Sequence, residues 1–442
     1  MQEIKIHPKM RYTYVGVDSH KNSHTFVFLN FLSEKLGELD TTNTPSDFDP
    51  FLKKAQKFLQ PNTEFIFGFE DTTHYGRPIV KFLLDKGYTV KHVNANLVNS
   101  ERNSYNVIQK TDYIDAECAG RVLISRYDDL PIARLDEKYY IMSLLVVKRQ
   151  SFSKQATRLK RTLHNLLYLQ YPDYQRFFSE LNGKSAMDFF ENYPSPHTLV
   201  GTTVETLNDF FYVNNPKAQG LTKRKAKLIL ESVEKSGVKP SDFQDTIDHV
   251  IRFTVRELRV VSQYLDEIES RMAKMLEHFD YPLTSMKGID TLTACRLITE
   301  IGDIRRFKSS NSLAQYAGIA PVPHSSGNND AMLSNKRGNR QLNSLFFQIA
   351  MGMIAPKKQG MVLNPFFYDF YHQKISEGKT KKQALKIIQR RLVNIIYGIM
   401  KHGEEYINPP VSYVDVKTGE ILEDELNENQ LTHMEKRLST FE

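Results

Sequence analysis

Apolar residues in the first part of the chain come in short bursts separated by polar punctuation. "YTYVGVD" and "HTFVFLN" read as short β-rich runs, and "KLGELDTTNT" as a third strand. "SDFDPFLKKAQKFL" has helical spacing, with Ser46 or Asp47 as its cap. "FIFGFED" predicts a buried strand, "RPIVKFLLDKG" a helix ending at Gly87, and "YTVKHVN" a further strand. A helix follows in "KTDYIDAECAGRVL". A three-strand meander followed by alternating helices and strands predicts a mixed sheet with helices on its faces.

The period then changes. From about Asp136 to Leu169 the pattern is helical and basic, with Lys148, Arg149, Lys154, Arg158, Lys160 and Arg161 among apolar positions. A second long helix is expected from Phe243 to Phe279. Ile251, Leu258, Leu265 and Met272 recur every seven residues there, with Val261, Ile268 and Met275 on the intervening seam. That is coiled-coil patterning, satisfied either by the chain's own helices or by a second copy. Residues 171–242 between these helices read as a helical insertion, with loops at "YPSPHT" and "VNNPKAQG" and no assignable chemistry. From Leu283 to Lys401 the chain is helical again, interrupted by a polar loop, "PVPHSSGNND". The opening of this region places Gly288 in a tight turn before an apolar helix ending at Gly302. Such a helix–hairpin–helix either presents N–H groups to a phosphate or simply joins two core helices. The end reads as a mobile acidic tail. The expected division is 1–130 for the mixed-sheet domain, 131–280 for the coiled-coil region with its insertion, 281–405 for a mostly helical domain, and 406–442 for the tail.

Length and composition agree with several soluble domains in 442 residues. No apolar run approaches the roughly 20 residues that cross a bilayer, and the start lacks a signal-peptide core. Cys118 and Cys295 are the only cysteines, which excludes a disulfide framework or a cysteine zinc cluster and fits a reducing cytoplasm. Net charge is +7, but Lys287 to Lys401 holds 18 Lys+Arg against 6 Asp+Glu, while 402–442 holds 3 against 10. A segment at +12 beside one at −7 favours a polyanionic partner for the former.

Carboxylates carry the candidate chemistry. Asp112 and Asp115 lie three residues apart on one predicted helix face. Alone, such a pair is an ordinary helix start. Asp18 ends the first strand and Glu70 ends "FIFGFED"; alone, one caps a turn and the other pairs with an arginine. Together, two strand ends and one helix face can gather four carboxylates, a hard-oxygen site suited to Mg²⁺.

These segments resemble a known family. "YVGVDSHKNSHTF", "GFEDTTHYG" and "KTDYIDAECAGRVL" look like the DEDD motif of the insertion-sequence transposases called IS one-ten, relatives of the pilin-gene invertase Piv. Asp18, Glu70, Asp112 and Asp115 match it residue for residue. "KGIDTLTACRLITEIGDIRRFKSSNSLAQYAGIAPVPHSSG" and "SNKRGNRQLN" resemble the family's second segment. The resemblance implies an α/β RNase H-like (RuvC-like) domain, a helical coiled-coil region and a mostly helical carboxy-terminal transposase domain. It further implies a catalytic serine before a loop glycine, which is Ser326 here, with neighbouring Ser325 separated from it only by spacing to Gly327. Lys336, Arg337 and Arg340 are expected to neutralise phosphate, and Lys148, Arg149, Arg158 and Arg161 to contact nucleic-acid backbone. Donor and target DNA, a noncoding bridge RNA as guide, and a homodimer assembling into a tetramer are the implied partners. The rivals are a metal-dependent junction resolvase in which water attacks, an actin-like ATPase suggested by "VGVDSHK", and a non-catalytic nucleic-acid scaffold. The ATPase lacks its later Gly-rich phosphate loops.

Overall fold

Near-continuous apolar runs in strands such as "YTYVGVD" and "FIFGFED" suit a sheet covered on both faces, and that sheet forms. The structure, a computed structural model, describes residues 7–70, 74–104, 111–133, 135–214, 221–326, 329–333, 335, 338–355, 362–407, 412–414 and 421–423. Strands β1 (Tyr12–Ser19), β2 (Ser23–Leu29) and β3 (Lys35–Thr42) form the meander. Helix α1 (Pro45–Ala55), β4 (Glu64–Phe69), α2 (Arg77–Asp85), β5 (Thr89–His92), α3 (Ala95–Ser104) and α4 (Asp112–Ser125) follow. The five strands lie in the order β3-β2-β1-β4-β5, antiparallel within the meander and parallel from β1 through β5. Val15, Val17, Phe26, Phe28, Phe67 and Phe69 pack with α1 and α2 on one face, while Tyr14, Val27, Leu29 and Ile66 pack with α3 and α4 on the other. Alternate residues of one strand thus serve two layers, which explains why the runs look continuously apolar.

The start of α1 differs from expectation. Thr44, not Ser46 or Asp47, is its N-cap. Pro45 sets the first helical φ and has no N–H to satisfy, and Asp47 instead accepts a hydrogen bond from Thr42 Oγ1 at 2.6 Å.

The chain divides into two compact units, Met1–Tyr140 and Ile141–Glu442, with the boundary inside the long helix α5 (Glu137–Gln170). The second unit also contains α6 (Lys184–Asn192), α7 (Val204–Asn214), α8 (Leu221–Ser236) and the long α9 (Gln244–Leu276). Arg149 pairs with Glu269, Phe152 stacks on Tyr264 at 5.3 Å, and Gln244 donates to Gln170. Residue numbers rise along α5 as they fall along α9, so the two helices are antiparallel. The heptad residues Ile251, Leu258 and Val261 are buried in one cluster with Ala156, Leu159 and Leu163 of α5. This part of the expected seam is therefore met by the chain's own helix, within a larger cluster that includes the insertion. The insertion adds Tyr171, Phe177, Phe189, Phe190 and Phe211 to that core. Ser195 and Gln244 both donate to buried Asp248, tying the insertion to α9.

Beyond α9 come α10 (Thr291–Ile301), α11 (Ser310–Tyr316), β6 (Val322–Ser326), β7 (Asn329–Leu333), α12 (Arg340–Ile354), α13 (Pro365–Ser376) and α14 (Lys381–His402). Gly288 has φ +106° and Gly302 has φ +64°, the turn and helix stop read from the sequence. The segment read as a polar loop contains a hairpin instead, with Ser326 opposite Asn329. Backbone pairing overrides the weak β-propensity of Pro323 and its serines and asparagines. The acidic tail lies largely outside the described residues; within it β8 (Ser412–Val414) pairs with β9 (Ile421–Glu423). Cys118 and Cys295 are buried free thiols. Among the described residues no helix is long and apolar enough to cross a membrane.

Candidate active site

Glycine decides how closely α4 can approach the sheet. A Cβ on Gly16 would lie 1.9 Å from the Ala116 carbonyl oxygen and 2.3 Å from the Gly120 nitrogen. No side chain fits there, so β1 and α4 meet backbone to backbone. Asp112, Ala116 and Gly120 repeat every four residues on one helical face. The contact at Gly16 therefore carries the first turn of α4 toward the end of β1, where Asp18 stands two residues later.

Asp18 and Asp112 converge there. His20 Nε2 lies 3.2 Å from Asp18 Oδ2 and 3.2 Å from Asp112 Oδ1. The turn between β1 and β2 presents His20, its backbone N–H bonded to the Ser23 carbonyl at 2.9 Å. Asp18 is the more enclosed, with 17% of its side chain exposed against 58% for Asp112. Burial pushes the Asp18 carboxyl upward, as do the charges of Asp112 and Asp115, while His20 opposes the shift. Asp115 pairs with Arg102 of α3, whose other nitrogen donates to Asn99 at 2.7 Å.

Glu70 follows β4, where Val17 of β1 pairs in parallel with Phe69. Asp18 and Glu70 thus come next at the ends of adjoining strands, as the sheet order had implied. Thr111 caps α4, its hydroxyl accepting the Ile114 N–H at 3.3 Å. Neither aspartate is consumed as the cap. His20 and Arg102 were not singled out from sequence. His20 had a faint signal, two residues past Asp18, whereas Arg102 had none, because its role depends on α3 packing beside α4.

Asp18, His20 and Asp112 each offer one ligand atom within 4.8 Å of the others, and two carboxylate oxygens from a strand end and a helix start suit a hard divalent cation.

The other anticipated residues lie in the second unit. Ser326 is the last residue of β6; Gly327, Lys336 and Arg337 lie outside the described residues. Arg340 is exposed at the first position of α12. On α5, Lys148, Arg158 and Arg161 are exposed. Lys148 sits 4.6 Å over the Phe152 ring. Arg149 differs from its neighbours, since its guanidinium is engaged by Glu269 at 2.7 Å.

A mixed sheet in this order, with acidic residues at the ends of its central strands, is consistent with the RNase H-like class of nucleic-acid enzymes. Comparison with known proteins narrows it. Residues 15–172 match a DEDD transposase family of IS110 type, and residues 280–362 match the family described as Transposase IS116/IS110/IS902. The chain belongs to the IS110 family of transposases. It is 24% identical to an uncharacterized 44.8 kDa protein of insertion element IS116 from Streptomyces clavuligerus, over 90% of this chain and 97% of the relative. It is 27% identical to an IS110 protein of Streptomyces coelicolor over 73% of this chain and 78% of the relative. A pilin gene-inverting protein of Moraxella bovis is 32% identical over 30% of this chain and 39% of its own length.

Proposed function

We propose that this transposase cleaves and exchanges DNA strands at a divalent-cation site made by Asp18, Glu70, Asp112 and Asp115, with Ser326 as the nucleophile. The convergence of Asp18 and Asp112 on one point, from a strand end and a helix start, carries the reading. Asp18, Asp112, Asp115 and Glu70 would hold Mg²⁺, which when bound supplies positive charge to offset charge developing on phosphate oxygens. The chain's own part is to keep these ligands rigid: the glycine contact between β1 and α4 sets their spacing, and Arg102 orients Asp115.

Ser326 would attack phosphorus through its hydroxyl, forming an O–P bond while the bond to one strand breaks and leaves a free hydroxyl on that strand. The phosphodiester is conserved as a serine ester, so rejoining needs no external energy source. Lys336, Arg337 and Arg340 would stabilise charge on the transferring phosphate. A noncoding bridge RNA pairing with donor and target DNA is the proposed source of sequence choice, while basic side chains hold backbones. A dimer assembling into a tetramer would supply paired active sites for two-ended exchange. The water-attacking resolvase is the less favoured alternative, since relatives with named roles are transposases and gene-inverting proteins.

The direct test incubates purified protein with DNA carrying the element's joined ends, with its guide RNA, in Mg²⁺ or in excess chelator. Strand cleavage is expected in Mg²⁺ and is expected to disappear with chelation. Equal cleavage in both arms would refute the divalent-cation site.

Lys148, Arg158 and Arg161 are proposed to meet backbone phosphates. Replacing all three with alanine should reduce the slope of log affinity against log salt by nearly one unit for each contact on duplex DNA. Arg149→Ala should change stability more than the slope, because its charge already faces Glu269. Salt titrations by fluorescence anisotropy measure both, and an unchanged slope in the triple variant would return these residues to the solvated surface.

A further inference from the structure

We infer that a cavity in the second unit binds one nucleotide of a single nucleic-acid strand, its phosphate on Arg340 and Lys386 and its base against Phe347. The inference rests on the nucleic-acid-processing function proposed above and deepens it: the cavity lies outside the carboxylate cluster and would seat the nucleotide whose phosphate Arg340 is proposed there to neutralise. The cavity has a volume of about 540 Å³ and is lined by α12, α14 and the backbone around Gly318. That lies within the range of small-molecule sites, roughly 300–1,000 Å³, and is ample for a nucleotide.

Two glycines build its wall. Gly318 has φ +66°, and a Cβ on Gly338 would fall 2.3 Å from the Gly318 nitrogen. Asn343 locks this crossing by donating to the Ala317 and Gly318 carbonyls at 2.8 and 3.1 Å. Backbone contact and these two hydrogen bonds shape the wall.

The lining then supplies what a nucleotide needs. Among the described residues, Arg340 and Lys386 are the cations in its lining and no carboxylate lines it. Among the described residues neither cation has a carboxylate within ion-pair reach, and Lys386 Nζ donates to the Gly318 carbonyl at 3.4 Å. Burial, with Lys382 nearby, lowers the Lys386 ammonium from its ordinary value. An ammonium that is partly desolvated without an anion gains most from one, and phosphate is the anion that a paired Arg and Lys suit. Phe347 is 46% exposed although α12 buries its neighbours Leu345 and Phe346. An aromatic face beside cations is the arrangement by which proteins hold unpaired bases. Ser344 adds a hydroxyl for sugar or base.

The test uses the full-length protein and 20-nucleotide single strands of DNA and RNA bearing iodouracil, with uridine monophosphate as the free-nucleotide arm. Irradiation should join the strand to Phe347, located by peptide mass spectrometry. Phe347→Ala should weaken single-strand binding about tenfold, and Phe347→Tyr should restore it. Lys386→Met should lower the salt slope for single strands by roughly 0.7. If Phe347→Ala and Lys386→Met bind as wild type, and no adduct falls within residues 340–354, while Mg²⁺-dependent cleavage persists, the pocket assignment is wrong and the transposase mechanism stands. If the wild type binds no strand and cleaves nothing, both fall. Binding of the monophosphate as tight as that of the strand overturns the strand as ligand. The tyrosine variant and the adduct map keep the test decisive should Phe347→Ala fail to fold.

Discussion

Asp18→Asn should abolish strand cleavage and exchange while leaving the fold intact. Asp18 is more enclosed than Asp112, and its backbone pairs with Thr25 of β2 while the preceding Val17 pairs with Phe69 of β4. Asparagine keeps its size and loses its charge, so the site retains its shape with one fewer anionic oxygen for a hard cation. A loss of at least about a thousandfold is expected, equivalent to roughly 4 kcal/mol of transition-state stabilisation. Stability should move the other way or not at all. Burial, with Asp112 and Asp115 adding to it, disfavours the charged form of Asp18 against the opposing pull of His20, and neutralisation removes that cost. The melting temperature without divalent ions should therefore be unchanged or higher. Asp112→Asn, Asp115→Asn and Glu70→Gln should likewise lose activity, although Asp115→Asn also frees Arg102 and should disturb α3. Rates are read by gel on matched substrates and stability by calorimetry. Wild-type recombination by all four variants would dispose of the carboxylate site.

Ser326→Ala should stop both cleavage and exchange while nucleic-acid binding survives, under the serine mechanism proposed above. Removing one hydroxyl deletes the atom that would bond to phosphorus, and alanine offers nothing to take its place. The predicted loss exceeds the detection limit of an ordinary assay, on the order of 10⁴-fold or more. Ser325→Ala is the control and should be far milder. The wild type incubated with nicked or matched DNA should leave a denaturant-resistant adduct, a phosphoserine ester at Ser326 with a free hydroxyl on the other strand end. Mass spectrometry of the adducted peptide distinguishes the two serines. An adduct on Ser325 would move the nucleophile by one residue, and cleavage with no adduct would favour attack by water.

Local periodicity determined much of this protein. The burst pattern of "YTYVGVD", "HTFVFLN" and "FIFGFED" specified strands because side-chain alternation with both faces covered leaves few polar positions. The long helices, the stop at Gly302 and the turn at Gly288 followed from spacing and from backbone conformations that glycine accepts. The candidate carboxylates were legible because they sit at element ends, where sheet order alone predicts adjacency. What the tertiary structure decided was through-space. His20 between Asp18 and Asp112, and Arg102 on Asp115, depend on how a turn and α3 sit against α4, which no local pattern encodes. The heptads specified an apolar stripe but not its occupant; packing gave much of that stripe to α5, since a tethered partner pays less association entropy than a separate chain. The 322–333 hairpin was hidden because strand pairing there comes from backbone hydrogen bonds rather than from side chains with high β-propensity. The cavity at Gly318 needed two distant glycines and two helices brought together, and only the folded chain brings them there.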